Sequence, residues 1–307
     1  LGGDVLGRVA ALAGDGAMIA VVGPTASGKT ELAIALAERL GGEIVSADSV
    51  QIYRGFDVGS GKPSPEERAR APHHLIDALG PLEPVDAASY AAMASTVIAD
   101  VRARGKVPIL CGGTFLWVKA LIFGLLAAPA ASEEIRARHR ELALAEGRPA
   151  LHARLEAVDP ESMTRLHPND LVRVSRALEI YELTGRPMSV WQAEHGFSTI
   201  RHPARLVAIA REPATLTARI QARVLGWLAA GWVDEVRSLL ASGHGDARAM
   251  RSVGYREIRA HLQGEIELAA LAEAIVRSTR VFARRQRTWL GHADVLWIEG
   301  TWQAPIV

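Results

Sequence analysis

Eight residues, Gly23-Pro24-Thr25-Ala26-Ser27-Gly28-Lys29-Thr30, satisfy the pattern G-x-x-x-x-G-K-[ST] at every fixed position. Backbone N–H groups of such a loop converge on a polyphosphate, and the N-terminus of the following helix adds partial positive charge. Lys29 then meets phosphate oxygens directly, and the Thr30 hydroxyl is placed to ligate a Mg²⁺ that bridges them. The loop specifies a phosphorylated ligand and not a reaction; ATP is only one such ligand. Asp48 is the leading catalytic candidate. It ends the strand that follows the phosphate-loop helix, where an aspartate serves Mg²⁺ or the nucleophile, or else caps a turn. As a general base it would contribute about 10²–10⁴ in rate. Lys62, in the glycine-rich polar stretch Ser49 to Pro63, is a candidate second cation for a diphosphate. His73-His74 lacks further ligands at metal spacing and reads as structural.

These groups need rigid elements beneath them. The apolar run Met18 to Val22 reads as a strand before the loop, and Glu31 to Leu40 as a helix closed by Gly41-Gly42. Glu43 to Ser46 reads as a second strand, Ala87 to Arg104 as a helix with Asp86 as N-cap, and Val107 to Cys111 as a third buried strand. This succession predicts a parallel sheet with helices on both faces, whose ligands sit beyond the carboxyl ends of the strands. The phosphate loop, Asp48 and Thr114 all fall at that rim. From 133 to 195 the pattern turns helical and strongly charged, with breaks at Pro149, Pro160, Pro168 and Gly185-Arg186-Pro187. Leu206 to Ala210 reads as a returning strand, helices start near Leu216, Trp232, Arg251 and Ala269, and Val295 to Ile298 reads as a last strand. The expected organisation is an α/β phosphate-loop core over 1–128 and 200–307, with an inserted helical domain over 129–199.

Composition is that of a folded globular chain: 307 residues, 49% hydrophobic and 22% charged. No apolar run approaches the roughly 20 residues of a membrane helix, nothing before Val5 reads as a signal peptide, and the opening Leu1 suggests a trimmed or altered start. The single cysteine, Cys111, excludes an internal disulfide and fits a reducing cytoplasm. The net charge of +1 conceals a local excess. From Arg277 to Trp289 the sequence carries Arg277, Arg280, Arg284, Arg285 and Arg287 without an acid, which points to an anionic partner.

Seven blocks in order, GPTASGKT, SADSVQIYRGFDVGSGKP, APHHLID, CGGTFLWVKAL, HPNDLVRVSRALEIYELTGRP, SVGYREI and RSTRVFARRQRTWL, together resemble the tRNA dimethylallyltransferase (tRNA isopentenyltransferase) family. The resemblance runs from about residue 18 to 291. It implies a phosphate-loop, kinase-like fold with an inserted helical domain, and transfer of a dimethylallyl group from dimethylallyl diphosphate to N6 of adenosine 37 of tRNA. Gly23 to Thr30 would cradle the prenyl diphosphate with Mg²⁺ at Thr30, Asp48 would act as general base, and Arg223 would assist the diphosphate, with Thr114 also at the site. Ser49, Val50, Gln51 and Thr114 match positions that contact the target base. Arg136, Val172, Arg173, Val174, Ser175, Arg176, Gly254, Tyr255, Arg256, Arg284, Arg285, Gln286 and Arg287 match tRNA-contacting positions. The implied partner is the anticodon stem-loop, with no membrane, and the implied state is a monomer.

Two positions depart from the family pattern. Ser60-Gly61 stands where Thr-Ala is usual, and Trp117 where a tyrosine is usual. Three alternatives to the implied function stay open on the residues alone: a small-molecule kinase using ATP, an isopentenyltransferase acting on free adenine nucleotides, and a non-catalytic RNA-binding nucleotide switch.

Overall fold

The computed structural model describes residues 5–13, 16–126, 128–196, 199–291 and 293–298. Its contacts divide the chain into two units, Leu1–Ile122 with Arg201–Val307, and Phe123–Ile200. The exit from the first unit lies six residues before the 128/129 boundary read from the sequence. Hydrogen bonding accounts for that position: the N–H groups of Arg201 and His202 both donate to Ile122 O, at 2.7 and 3.3 Å, and so fasten the return point to the exit point.

In the first unit, strands β1 (Met18–Val22), β2 (Glu43–Ala47), β3 (His73–His74), β4 (Pro108–Gly112), β5 (Ala204–Ile209) and β6 (Val295–Ile298) form one sheet in the order β3-β2-β4-β1-β5-β6. Every pairing is parallel. All residues of β1 and β2 are buried, which is why β1 and, after Glu43, β2 read as apolar or small runs instead of alternating ones. Helix Lys29–Leu40 covers the sheet with Leu32, Ile34 and Leu36, packed with Ile19, Val21, Ile109 and Val207. It ends at Gly41, whose left-handed backbone turns its N–H back to Ala37 O. Helix Ala87–Ala103 begins at the expected Asp86, which accepts from Ala88 and Ser89 in a capping box. The expected α/β class and parallel sheet hold. The sequence pattern missed β3, because two residues carry no period.

The second unit is helical: Glu133–Ala145, Arg148–Ala153, Leu155–Val158, Pro160–Arg165, Leu171–Thr184 and Met188–His195. Leu151, Leu155, Val174, Ala177 and Leu178 form its core. A fully buried carboxylate, Glu179, joins its long helices. It accepts from Arg136 Nε and Nη2 at 3.0 Å each, from Arg176 Nη1 at 2.6 Å and from Ser132 N at 2.6 Å. Burial opposes ionisation of Glu179, but these donors outweigh it and hold the carboxyl below its usual range.

Candidate active site

Parallel register sets the site. Val22 pairs with Gly112 and with Ala208, and Ala47 also pairs with Gly112, so four strands end at one level. The phosphate loop, Asp48, Gly113-Thr114 and Arg211 therefore leave the sheet at the same rim. Strand β4 lies between the strands that carry Asp48 and the loop. Its end bears Gly112 and Gly113, which put no side chain between them.

The phosphate loop is held from outside by cations. Arg211 Nε donates to Ser27 O at 3.1 Å, Arg219 Nε to Ala26 O at 2.8 Å, and Arg223 Nη1 to Thr25 Oγ1 at 3.1 Å. Arg219 and Arg223 lie one turn apart on helix Pro213–Ala229, on the side facing the loop. These contacts support a backbone that needs support: Ala26 sits in the left-handed region at φ +62°, a conformation that costs a residue with a Cβ of order 1 kcal/mol. Ser27 Oγ is fully buried, has no partner among the described residues, and would stand 3.0 Å from a Cβ added at Gly23. A buried hydroxyl inside the loop suits a ligand oxygen.

Gln286 corrects an expectation. Its amide is buried, accepting from Thr25 N at 2.9 Å through Oε1 and donating to Gly113 O at 2.9 Å through Nε2. It belongs to the inner face of helix Leu268–Leu290, with Leu271, Ile275, Ala283 and Leu290. It thus pins the phosphate loop to the β4 rim and presents nothing to an outside RNA. A Cβ at position 113 would lie 2.4 Å from its Nε2, so the bond requires glycine there.

Asp48 caps a turn with one carboxylate oxygen and leaves the other open. Its Oδ1 accepts from Val50 N at 2.9 Å and Gln51 N at 3.2 Å, the geometry of a turn cap. Oδ2 takes no hydrogen bond among the described residues. Thr114 sets the following residue: its Oγ1 accepts from Ser49 N at 3.1 Å, while its own N–H donates to Ala47 O at 3.1 Å. Thr114 is therefore a support of the Asp48 turn. Ser49 and Val50 stay partly exposed beside it. The Gln51 side chain is committed inward, accepting from Ser46 Oγ and donating to the carbonyls of Ser60 and Gly61 at 3.2 and 2.9 Å.

The electrostatics favour an anion. Burial lowers Lys29 below its usual lysine value, Cys111 and Asp48 oppose that, and Arg223 adds to it. Burial likewise lowers Arg223 and Arg211, with Arg219 contributing to both. Crowded, desolvated cations gain from an anionic ligand. Cys111 borders Lys29, but burial pushes its thiol up to about 11, so it is protonated at neutral pH and is no nucleophile.

Several expected contact residues take other places. Lys62 is not a diphosphate cation: its Nζ donates to Asp57 Oδ1 and Asp77 Oδ1 at 2.5 Å each and to Tyr53 O at 2.7 Å, with the side chain 5% exposed. Val174, Ser175 and Tyr255 are buried. Tyr255 Oη donates to Glu235 at 2.7 Å, and the same carboxylate accepts from Asp57 N and Val58 N. The Gly254 backbone lies against Trp232, where an added Cβ would come within 1.9 Å of the ring. Arg136 and Arg176 hold Glu179, as above, and Arg256 pairs with Glu257 at 2.7 Å. Val172, Arg173, Arg284, Arg285 and Arg287 are exposed, as are Arg277 and Arg280. Trp117 is buried and stacks on Tyr90 at 4.2 Å, so its departure from the family tyrosine falls in the core.

Arg211 and Arg219 were missed in the sequence, although signals exist. Arg219 precedes Arg223 by one helical turn, and Arg211 follows the end of a returning strand at the rim.

Among the described residues no group of three or more His, Cys, Asp or Glu side chains could hold a metal ion. Thr30 and Asp48 supply hard oxygens, which suits Mg²⁺ only where diphosphate and water complete its shell. The donor set fits that use and not a metal held by protein alone.

A family model described as IPP transferase matches residues 51–293. The tRNA dimethylallyltransferase of Sorangium cellulosum is 66% identical over 283 residues, 92% of this chain and 90% of that protein. The tRNA dimethylallyltransferase of Anaeromyxobacter dehalogenans (strain 2CP-C) is 51% identical over 92% of this chain and 94% of its own. The crystal structure of full-length tRNA isopentenylpyrophosphate transferase from Bacillus halodurans matches with a TM-score of 0.69 and 35% identity, over 93% of this chain and 90% of that one. A eukaryotic dimethylallyltransferase, described as acting on tRNA, matches with a TM-score of 0.75 and 25% identity, over 92% of this chain and 73% of that one. The chain belongs to the IPP transferase family.

Proposed function

We propose that this chain is a tRNA prenyltransferase that moves a dimethylallyl group from dimethylallyl diphosphate to N6 of adenosine 37, beside the anticodon. The observation that carries the reading is the polarity of the site: a cation-held phosphate loop, with one uncommitted carboxylate oxygen, Asp48 Oδ2, at the same rim. An exocyclic adenine amine is a poor nucleophile because its lone pair is delocalised into the ring. Asp48 Oδ2 accepts a proton from that nitrogen as it bonds to C1 of the prenyl group, and the C1–oxygen bond breaks toward the diphosphate. Loop N–H groups, Lys29 and Arg223 stabilise the negative charge that develops on the leaving group. Mg²⁺, held by Thr30 and the diphosphate, would supply further charge neutralisation there.

The acceptor base must leave its stack, which costs a few kcal/mol. The exposed arginines of helix Leu268–Leu290 offset this by binding the RNA backbone, and in the helical unit, Phe123–Ile200, exposed Arg173 is a further cation for it, with Val172 as an apolar neighbour. We further assign the chain to the cytoplasm, acting as a monomer; no described helix is long and apolar enough to cross a membrane.

Incubation with labelled dimethylallyl diphosphate, Mg²⁺ and unmodified tRNA, followed by nucleoside analysis, tests the reading. Prenylated adenosine from an anticodon stem-loop, and little from AMP, is expected. Labelled AMP in place of labelled tRNA would move the assignment to the free-nucleotide enzymes, and phosphoryl transfer from ATP would move it to the kinases.

A further inference from the structure

Arg223 has a second neighbour besides Thr25: its guanidinium carbon lies 4.8 Å from the centroid of the Trp227 ring. The two residues are one helical turn apart on Pro213–Ala229, so the ring forms a shelf against the guanidinium. Trp227 is itself fixed on two sides. Its ring meets Trp232 edge-on at 5.4 Å and 86°. Gly61 closes the other side: a Cβ added there would lie 2.7 Å from Trp227 Cζ2 and 3.4 Å from Arg223 Nη2. The Gly61 backbone is left-handed at φ +61°. Rings continue from Trp232 to Tyr255 at 5.5 Å and from there to Phe56 at 5.1 Å, so the shelf rests on the core.

We propose that Trp227 is a positioning residue that seats Arg223 against the leaving diphosphate, and that Gly61 is its obligate partner, small because the indole occupies the space of a Cβ. The inference rests on the diphosphate assignment above. It adds that the arginine's reach is set by an aromatic plane one helical turn after it and by a missing methyl group at Gly61, remote in sequence and brought to it by the fold.

The probe is inorganic pyrophosphate, titrated calorimetrically into the full chain carrying Trp227→Leu, Trp227→Phe, Gly61→Ala or the double change Gly61→Ala with Trp227→Leu. Loss of a desolvated cation–π contact predicts that Trp227→Leu weakens pyrophosphate about tenfold. Trp227→Phe, which keeps an aromatic face, should recover most of that loss. Gly61→Ala should weaken pyrophosphate to a similar degree by displacing the indole, and should add little once Trp227 is leucine. Melting temperature is followed in parallel, since strain at φ +61° lowers stability whatever stands opposite and only the seat alters pyrophosphate affinity. Additive losses, or a Trp227→Leu chain that binds pyrophosphate as the unaltered one does, would overturn the proposal. Prenyl transfer by the unaltered chain is measured alongside. Absent transfer with the affinity pattern intact would refute the proposed function and support this inference; transfer with a flat affinity pattern would do the reverse.

Discussion

Gln286→Leu separates two accounts of one residue. In a run rich in arginine, its family position suggests contact with RNA, whereas the structure gives its amide a hydrogen bond at each end, both 2.9 Å, to Thr25 N and Gly113 O. Leucine nearly conserves the volume and removes both bonds. Each stranded buried backbone group costs about 1–3 kcal/mol, moderated where the loop shifts toward water, so a loss of about 2–4 kcal/mol is expected. For a unit of this size that corresponds to roughly 4–16 °C in melting temperature. Released at Thr25, the loop no longer has its donors preset, and pyrophosphate affinity should fall about tenfold. Affinity for tRNA without prenyl diphosphate should change less than twofold. Arg284→Ala with Arg287→Ala is the contrasting pair: both side chains are exposed, so stability should hold while tRNA binding weakens and its salt slope shrinks by roughly one to two. A Gln286→Leu chain of unaltered stability and pyrophosphate affinity, but weakened for tRNA, would refute the anchoring argument.

Three further outcomes follow from the geometry. Asp48→Asn keeps an Oδ1 acceptor for Val50 N and Gln51 N but cannot take a proton, so turnover should fall about 10²–10⁴-fold with prenyl diphosphate still bound; a fall below tenfold in single-turnover assays removes Asp48 as the base. Lys62→Met should cost about 1–3 kcal/mol, measured by urea unfolding, because it strands the buried Tyr53 carbonyl and leaves Asp77 with Arg68 alone, and should leave pyrophosphate affinity unchanged; the opposite pattern would restore Lys62 to the site. Glu179 is held below its usual pKa, so its stabilisation is fully present above the unfolded value near 4.5 and is lost as pH falls through the lowered folded value. Glu179→Gln should therefore destabilise the helical unit by about 1–3 kcal/mol at neutral pH and flatten its acid dependence below pH 4.5, read by circular dichroism; an unchanged acid profile would discount the Arg136–Glu179–Arg176 cluster.

Whatever depends on local pattern was legible in the chain. The loop motif, the buried strands and the Asp86 cap are each written within a few consecutive residues, and parallel pairing then forces Asp48 and Thr114 to the loop's rim. What escaped reading depends on partners distant in sequence. Lys62 looks available until Asp77 folds onto it. Gln286 looks like part of an RNA-binding run until the spacing of Leu271, Ile275, Ala283 and Leu290 puts it on the inner face. The glycine at 61 looks like added backbone freedom until Trp227 is seen to fill the space of its Cβ. The insertion of β4 between the strands of Asp48 and of the loop is not written in their sequence order; it appears only with the sheet.

The manner in which the loop is held bears on what it can do. Arg211 and Arg219 engage the carbonyls of Ser27 and Ala26, Pro24 O accepts from Ser27 N at 3.3 Å, and Gln286 takes the N–H of Thr25. The N–H groups of Gly28, Lys29 and Thr30 have no partner among the described residues, which leaves the donor side of the loop turned to a ligand at the helix N-terminus. Donors and cations thus gather at one pole, and Asp48, whose Oδ2 takes no hydrogen bond among the described residues, stands at the end of another strand. A kinase needs its cations around the phosphoryl group being passed on. Transfer of carbon away from a diphosphate needs donors only on the group left behind, with a base beyond the carbon, and that is the division of charge proposed above for this rim.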